Sequence, residues 1–446
     1  MTSPPPKSIL IVGSGVFGLT TAHALSQRSA YQNTTIIILD RSPFPVHDGS
    51  SIDTSRIIRA DYSDAAYSSL AASAQSQWRQ TSPSGLGGES RYSESGLVLV
   101  ADAGHQGERY VRDSFGNVST MMKETGDSDA VQELTSRKEI EAMVGTGGGA
   151  GDWGYINRRS GWADAEASMR WLHERVQANG RVEFAYGEVT SLLRDGKRVH
   201  GVKLKDGSEM KAELVVLATG AWTGALVDLR GRATATGQVL AYLDITQEEQ
   251  DRLSKMPVLL NMSTGLFIIP PRDRVLKVAR HGYGYSNMLR IPNPDGEVDT
   301  IEVSLPRTKR DDPRQWIPAE GERACRQALA EMVPWLADRP FVQTRICWYT
   351  DTPTGDFLIA YHPHFEGLFL ATGGSGHGFK FLPCIGDKIA DCIQGRCPVE
   401  FREKWAWPKE RVDSVVTEDG SRGGLPGLLL TTEMGEAPGV ENGCHS

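Results

Sequence analysis

The fold is decided near the amino terminus, where Ser8-Ile-Leu-Ile-Val12 runs into Gly13-Ser14-Gly15-Val16-Phe17-Gly18 and a second β-branched run, Thr35-Ile-Ile-Ile-Leu39, closes on Asp40. A short apolar run ends at a glycine, residues 16–26 have helical composition, and a second strand follows. Strand, helix and strand in that order, with G-x-G-x-x-G at the first turn and an acidic residue ending the second strand, make the unit that binds a dinucleotide. Gly13 permits the tight turn, Gly15 lets a pyrophosphate approach the backbone, and Gly18 allows close helix–strand packing. The helix start at Val16 and Phe17 supplies amide donors and a favourable dipole. Asp40 stands at the spacing of a ribose contact, and Arg41 and Val189 are grouped with it as cofactor-binding residues. The unit itself serves FAD and NAD alike.

A second glycine-terminated strand, predicted over 212–218 and ending at Thr219-Gly220, lies far beyond the first crossover. That arrangement is typical of FAD proteins whose nucleotide domain is interrupted by a substrate domain. The expected fold is α/β: a discontinuous Rossmann-type FAD-binding domain (1–82, 161–225 and 345–406) and a substrate domain (83–160 and 226–344) with a mixed, largely antiparallel sheet. Helices are predicted near 107–125, 163–179, 320–332 and 384–394, and a meander from strands 181–193 and 199–204. Strands at 239–245, 265–269, 275–279 and 300–305 are expected in the antiparallel sheet. The tail from 407 to 446, rich in Gly, Glu, Ser and Pro, reads as weakly ordered.

With 48 Lys+Arg against 56 Asp+Glu, the net charge of −8 argues against nucleic acid, which needs a concentrated basic surface. No segment has the length to span a bilayer and the start does not read as a signal peptide, so no membrane partner is expected. The six cysteines (Cys325, Cys347, Cys384, Cys392, Cys397 and Cys444) are expected to be reduced thiols. Cys392 and Cys397 lack the second pair that a zinc site needs, so no metal is expected.

Three further segments carry a resemblance: Asp53-Thr-Ser-Arg56-Ile-Ile-Arg59-Ala-Asp-Tyr62, Arg345-Ile-Cys347-Trp-Tyr349-Thr-Asp351-Thr-Pro353, and Thr372-Gly-Gly-Ser-Gly-His377-Gly-Phe-Lys380. With the nucleotide unit they resemble the amine-oxidase branch of the D-amino acid oxidase superfamily, which includes monomeric sarcosine, pipecolate, saccharopine and fructosyl amino acid oxidases. The likeness runs over about residues 8 to 400. It implies FAD bonded through the sulfur of Cys347, and hydride transfer from the carbon beside a secondary amine. O2 then takes the electrons to give hydrogen peroxide, and an imine is the product. It assigns Lys380 and Arg59 to the substrate carboxylate, and Lys277, with His281 four residues on, to the reaction with O2. Arg56 is implied beside the flavin, Tyr349 in the active site, and Gly376 and Gly378 where the backbone approaches the ring.

The departures are specific. Phe267 stands where sarcosine oxidases carry an active-site tyrosine, and Ser50, Ser51 and Ile52 replace a histidine before the arginine segment. Ile269 precedes Pro270 where fructosyl amino acid oxidases carry a glutamate. An apolar pair there suits an alkyl or aromatic substituent better than a sugar. The expected activity is therefore oxidation of an N-alkyl or cyclic amino acid, or a related carboxylate-bearing amine. A fructosyl amino acid or saccharopine oxidase is the alternative, and a non-catalytic flavin- or NAD-binding module a more distant one. A monomer in the cytoplasm is expected, since the chain ends Gly443-Cys444-His445-Ser446 without a Ser-Lys-Leu-type peroxisomal address.

Overall fold

The computed structural model describes residues 4–296 and 299–434. Ser8–Val12 lies at the middle of a six-stranded sheet, flanked by Thr35–Asp40 and Leu214–Leu217; Val182–Tyr186 and Leu368–Thr372 extend it in parallel, and Leu358–Tyr361 adds an antiparallel edge. Near-continuous apolar strands such as Ile9-Leu-Ile-Val12 are what a sheet covered on both faces requires. One face packs on the helices Val16–Gln27, Ala165–Ala178 and Ile385–Ile393 through Ile9, Ile11, Leu19, Val176 and Ile389. The other is covered by an antiparallel meander, with Val199, Val202 and Leu204 against Leu10, Val12 and Leu217.

The meander is shorter than expected, because residues 181–193 are not one strand. They break at Gly187, whose amide donates to the Asp40 carbonyl at 2.8 Å. Val182–Tyr186 joins the parallel sheet before the break, and Val189–Asp195 pairs in the meander after it. An added Cβ on Gly187 would sit 2.6 Å from Leu204 Cδ1, so a side chain at the corner would displace the leucine.

A large mixed sheet takes strands from two stretches of chain. Leu97–Ala101, Val131–Leu134 and Trp153–Asn157 come from the first; Thr234–Asp244, Val258–Asn261, Leu266–Arg272, Val275–Arg280 and Gln343–Asp351 come from the second. The helix Ala319–Met332 packs on it through Cys325, Ala328 and Leu329. Two expectations are corrected. Thr300–Ser304 pairs with Met288–Pro292 in a separate hairpin, and residues 345–351 belong to the large sheet, paired along Thr234–Asp244, so the chain returns to the parallel sheet only with Leu358.

The tail is the largest correction. From 407 to 434 the chain packs back onto the body: Thr417, Ser421 and Arg422 are buried, and Leu428–Leu429 pairs with Tyr285–Ser286. Composition misled because buried polar partners, not apolar periodicity, hold this segment. The remaining expected tail, with Cys444, lies outside the described residues. Among the described residues the five other cysteines are free thiols, no helix is long and apolar enough to cross a membrane, and no group of three or more His, Cys, Asp or Glu side chains is placed to hold a metal ion.

Candidate active site

Two adjoining cavities mark the site. The larger, about 460 Å³, runs from the Gly13–Phe17 turn past Asp40, Arg41 and Val189 to Thr350 and the 374–379 loop. Gly13 has φ +104°, and a Cβ there would strike the Ala218 carbonyl; a Cβ on Gly15 would meet Ser51 Oγ at 2.9 Å. Gly18 does not line the cavity, and a side chain on it would collide with the Gly13 carbonyl, which is the close helix–strand contact expected of it. The helix starts at Gly15 with no capping side chain, and Ser51 Oγ accepts from Val16 N at 3.0 Å. Asp40 ends its strand with Oδ2 already accepting from Ser14 N and Oγ, at 2.7 and 2.6 Å, which holds the glycine turn in shape. The Arg41 guanidinium stacks 3.9 Å over Trp222.

The smaller cavity, about 70 Å³, shares Arg56, Tyr349, Gly376 and Phe379 with the first. Arg59, Lys277, His281, Cys347 and Lys380 also line it, so the structure brings together every residue expected at the reacting end. Its apolar wall is Leu240, Leu260, Phe267, Ile269 and Ala279. Phe267 and Ile269 come from one strand of the large sheet, Ile269 standing opposite Lys277 on the next.

Lys277 Nζ is buried, donating to Asp53 Oδ2 at 3.1 Å and to the Ser55 carbonyl at 2.5 Å. Burial brings its pKa down to about 8; Asp53 opposes the shift and Arg56 adds to it. Asp53 also pairs with the Arg56 guanidinium and accepts from Tyr242 at 2.8 Å. Burial alone would raise its carboxyl, but Arg56, Lys277 and Arg345 hold it well below the usual carboxylate range. Arg56 Nη2 reaches to 3.6 Å from Cys347 Sγ.

Arg59 donates from Nη2 to Tyr110 at 3.3 Å while its buried Nη1 has no hydrogen-bond partner. Lys380 Nζ donates to Tyr62 at 2.8 Å and to the His377 carbonyl at 3.0 Å. Neither cation has an acidic side chain within ion-pair distance among the described residues; the nearby Asp61 is occupied by Tyr155, Asn157 and Ser160. Burial, then Arg422, keep His281 well below its ordinary value, so it is neutral.

Sequence reading missed several of these residues. Asp53, Asp61 and Tyr62 lay inside a quoted segment, where only the arginines were singled out. Arg422 had no local signal at all, sitting in Glu-Asp-Gly-Ser-Arg422-Gly-Gly. It is buried against the site, donating to Asp351 Oδ1 at 2.7 Å and the Ser375 carbonyl at 2.8 Å, with His281 beside its other nitrogen.

The profile of the FAD dependent oxidoreductase family matches residues 8–392. The chain belongs to this family. Amino acid oxidase imqH of Aspergillus flavus is 32% identical to it, covering 87% of this chain and 93% of the relative. L-saccharopine oxidase of Schizosaccharomyces pombe is 29% identical over 91% of this chain and 94% of its own. Among solved structures, fructosamine oxidase (Amadoriase II) of Aspergillus fumigatus superposes with a TM-score of 0.77 at 29% identity, covering 95% of each chain. The amine-oxidase resemblance drawn from the three segments holds, and the chain is an FAD-dependent oxidase. The larger cavity fits that cofactor: Gly13 and Gly15 leave no room for side chains at its turn, Asp40 lines it at the end of the second strand, and its volume lies within the roughly 300–1,000 Å³ of cofactor sites.

Proposed function

We propose that this FAD-dependent oxidase acts on a secondary amine that carries a carboxylate, an N-alkyl or cyclic amino acid, with its FAD attached through Cys347. One observation supports the substrate class above the others. Arg59 keeps a buried, unpartnered Nη1, and Lys380 has two partners for three possible donors, on the same wall of the cavity. A buried guanidinium without an anion is costly, and a bidentate or shared carboxylate satisfies it. Leu260, Phe267 and Ile269, lining the same cavity, offer no side-chain hydrogen bonds and suit an apolar substituent on the nitrogen.

When bound, FAD supplies the two-electron acceptor for the C–N bond and passes the electrons to O2, giving hydrogen peroxide. The protein's part is placement. Arg59 and Lys380 hold the carboxylate, the apolar lining residues exclude water, and Lys277 sets a cation on the same cavity. Attachment through Cys347 is supported by its buried sulfur on the reacting cavity, with Arg56 Nη2 3.6 Å away.

A fructosyl amino acid or saccharopine substrate is the second reading, favoured by the likeness to Amadoriase II and to L-saccharopine oxidase. The apolar Phe267 and Ile269 weigh against a polyhydroxylated group. Peroxide release separates the readings. N-methyl amino acids and pipecolate are expected to yield peroxide with a far higher kcat/KM than their methyl esters; turnover of fructosyl amino acids or saccharopine alone would overturn the assignment.

A further inference from the structure

The hydrogen bonds joining Lys380, Tyr62 and His377 have a defined direction. His377 Nε2 lies 2.8 Å from the Gly355 carbonyl, which can only accept, so Nε2 carries the ring proton. Burial above all holds this imidazole well below its ordinary value, so Nδ1 is bare and accepts from the Tyr62 hydroxyl at 2.9 Å. With its proton committed, the Tyr62 oxygen accepts from Lys380 at 2.8 Å, and the His377 carbonyl accepts a second N–H at 3.0 Å. Two tetrahedral positions on Nζ are thus held by obligate acceptors. The third, on a side chain lining the reacting cavity, carries either an N–H or a lone pair.

The surroundings favour the lone pair. Lys380 is 5% exposed. Arg59 lies 4.7 Å over the same Tyr62 ring that Lys380 flanks at 5.0 Å. Arg422 also acts on it as a like charge, the neighbouring His281 and His377 are neutral, and Tyr110 is engaged by Arg59. Asp351 is spent on Arg422, and among the described residues Asp61 acts on the amine in the opposite sense; burial with Arg59 outweighs it, depressing the amine well below its ordinary value.

We propose that Lys380 is uncharged before substrate binds and accepts the proton that a zwitterionic amino acid must lose from nitrogen before its C–N bond can be oxidised. The substrate N–H bond breaks and leaves its electron pair on nitrogen, while the Nζ lone pair forms the new N–H bond. The resulting ammonium pairs with the substrate carboxylate beside Arg59. No electrons are exchanged and the complex keeps its net charge. Tyr62 and His377 are positioning residues that aim the lone pair. The inference rests on the carboxylate reading of the site, and extends it to the proton.

Two probes of the same shape test it, neither oxidisable: pivalate, which has only the carboxylate, and α-aminoisobutyrate, its ammonium-bearing counterpart. Calorimetry on the FAD-loaded enzyme near pH 7.5, in buffers of different ionisation enthalpy, counts protons exchanged on binding. Pivalate is expected to bind with uptake of about one proton per site, and α-aminoisobutyrate with almost none. Lys380→Arg, charged at all working pH values, is expected to bind pivalate without uptake, and Lys380→Met to bind it more weakly, again without uptake. Wild-type binding of pivalate with no proton taken up overturns the proposal and leaves the carboxylate reading intact. Uptake that persists in both variants overturns it in favour of another acceptor. Failure of pivalate to bind the wild type removes the carboxylate reading, and this inference with it.

Discussion

Arg422 Nη2 donates to Asp351 Oδ1 across 2.7 Å, 71 residues apart in the chain, with both side chains almost wholly buried. The pair ties the 417–423 segment to the strand that carries Cys347 and Tyr349. Burial pushes the Asp351 carboxyl up in spite of Arg422, so the aspartate depends on its partner. Arg422→Met is expected to destabilise the folded protein by about 3–5 kcal/mol, because it strands a buried carboxylate. Adding Asp351→Asn should recover part of the loss. Urea unfolding of the FAD-loaded protein checks both, and a cost within about 0.5 kcal/mol would place this contact among the incidental ones.

Lys277 predicts a pH dependence with a definite sign. Its value in the folded protein is lowered to about 8, so its charge is present below that pH and lost as pH rises through it. If this cation assists electron transfer to O2, reoxidation of the reduced enzyme falls above about pH 8. Lys277→Met should slow reoxidation by orders of magnitude, abolish that pH step and leave anaerobic reduction by substrate less affected. Stopped-flow measurement of the two half-reactions decides it: an unchanged reoxidation rate in Lys277→Met moves oxygen activation to another cation. Between pH 8 and the ordinary lysine value the unfolded chain holds the extra proton, so this group adds to stability as pH rises across that window.

Attachment through Cys347 predicts that yellow colour stays with the polypeptide after acid precipitation, since a thioether survives denaturation. Cys347→Ser should release its flavin into the supernatant. Complete loss of colour from the wild type would contradict the attachment.

Arg59→Ala and Lys380→Ala are expected to weaken carboxylate-bearing substrates by roughly tenfold to a hundredfold, the value of one charge-assisted hydrogen bond of about 1.5–3 kcal/mol. The matching methyl esters should lose far less. Steady-state comparison of acid and ester checks this, and equal losses for both would withdraw the carboxylate role.

Ile269 faces the cavity from the strand beside Lys277. Ile269→Glu puts a carboxylate among the apolar wall, and should cost an N-alkyl substrate about 1–3 kcal/mol of transition-state binding while favouring hydroxylated substituents. The ratio of kcat/KM for N-methyl and fructosyl amino acids is the readout; an unchanged ratio would show that the nitrogen substituent does not meet this wall.

The nucleotide half was legible in the chain because its signals are local. An apolar run, three glycines at fixed offsets and Asp40 specify the strand–turn–helix–strand unit through sterics and hydrogen bonding within about thirty residues. The three motif segments likewise singled out Arg59, Cys347 and Lys380 by their immediate neighbours, and the three line one cavity. What tertiary structure alone decided was how distant polar groups meet. Asp53 and Lys277 stand 224 positions apart, and Arg422 reaches His281 across 141. The same holds for the corner at Gly187, fixed by Leu204 and the Asp40 carbonyl, and for the packed 407–434 segment, whose composition reads as disorder. Periodicity reports which face of an element is apolar, whereas a buried ion pair is set by two elements arriving together, and no stretch of either one carries that information.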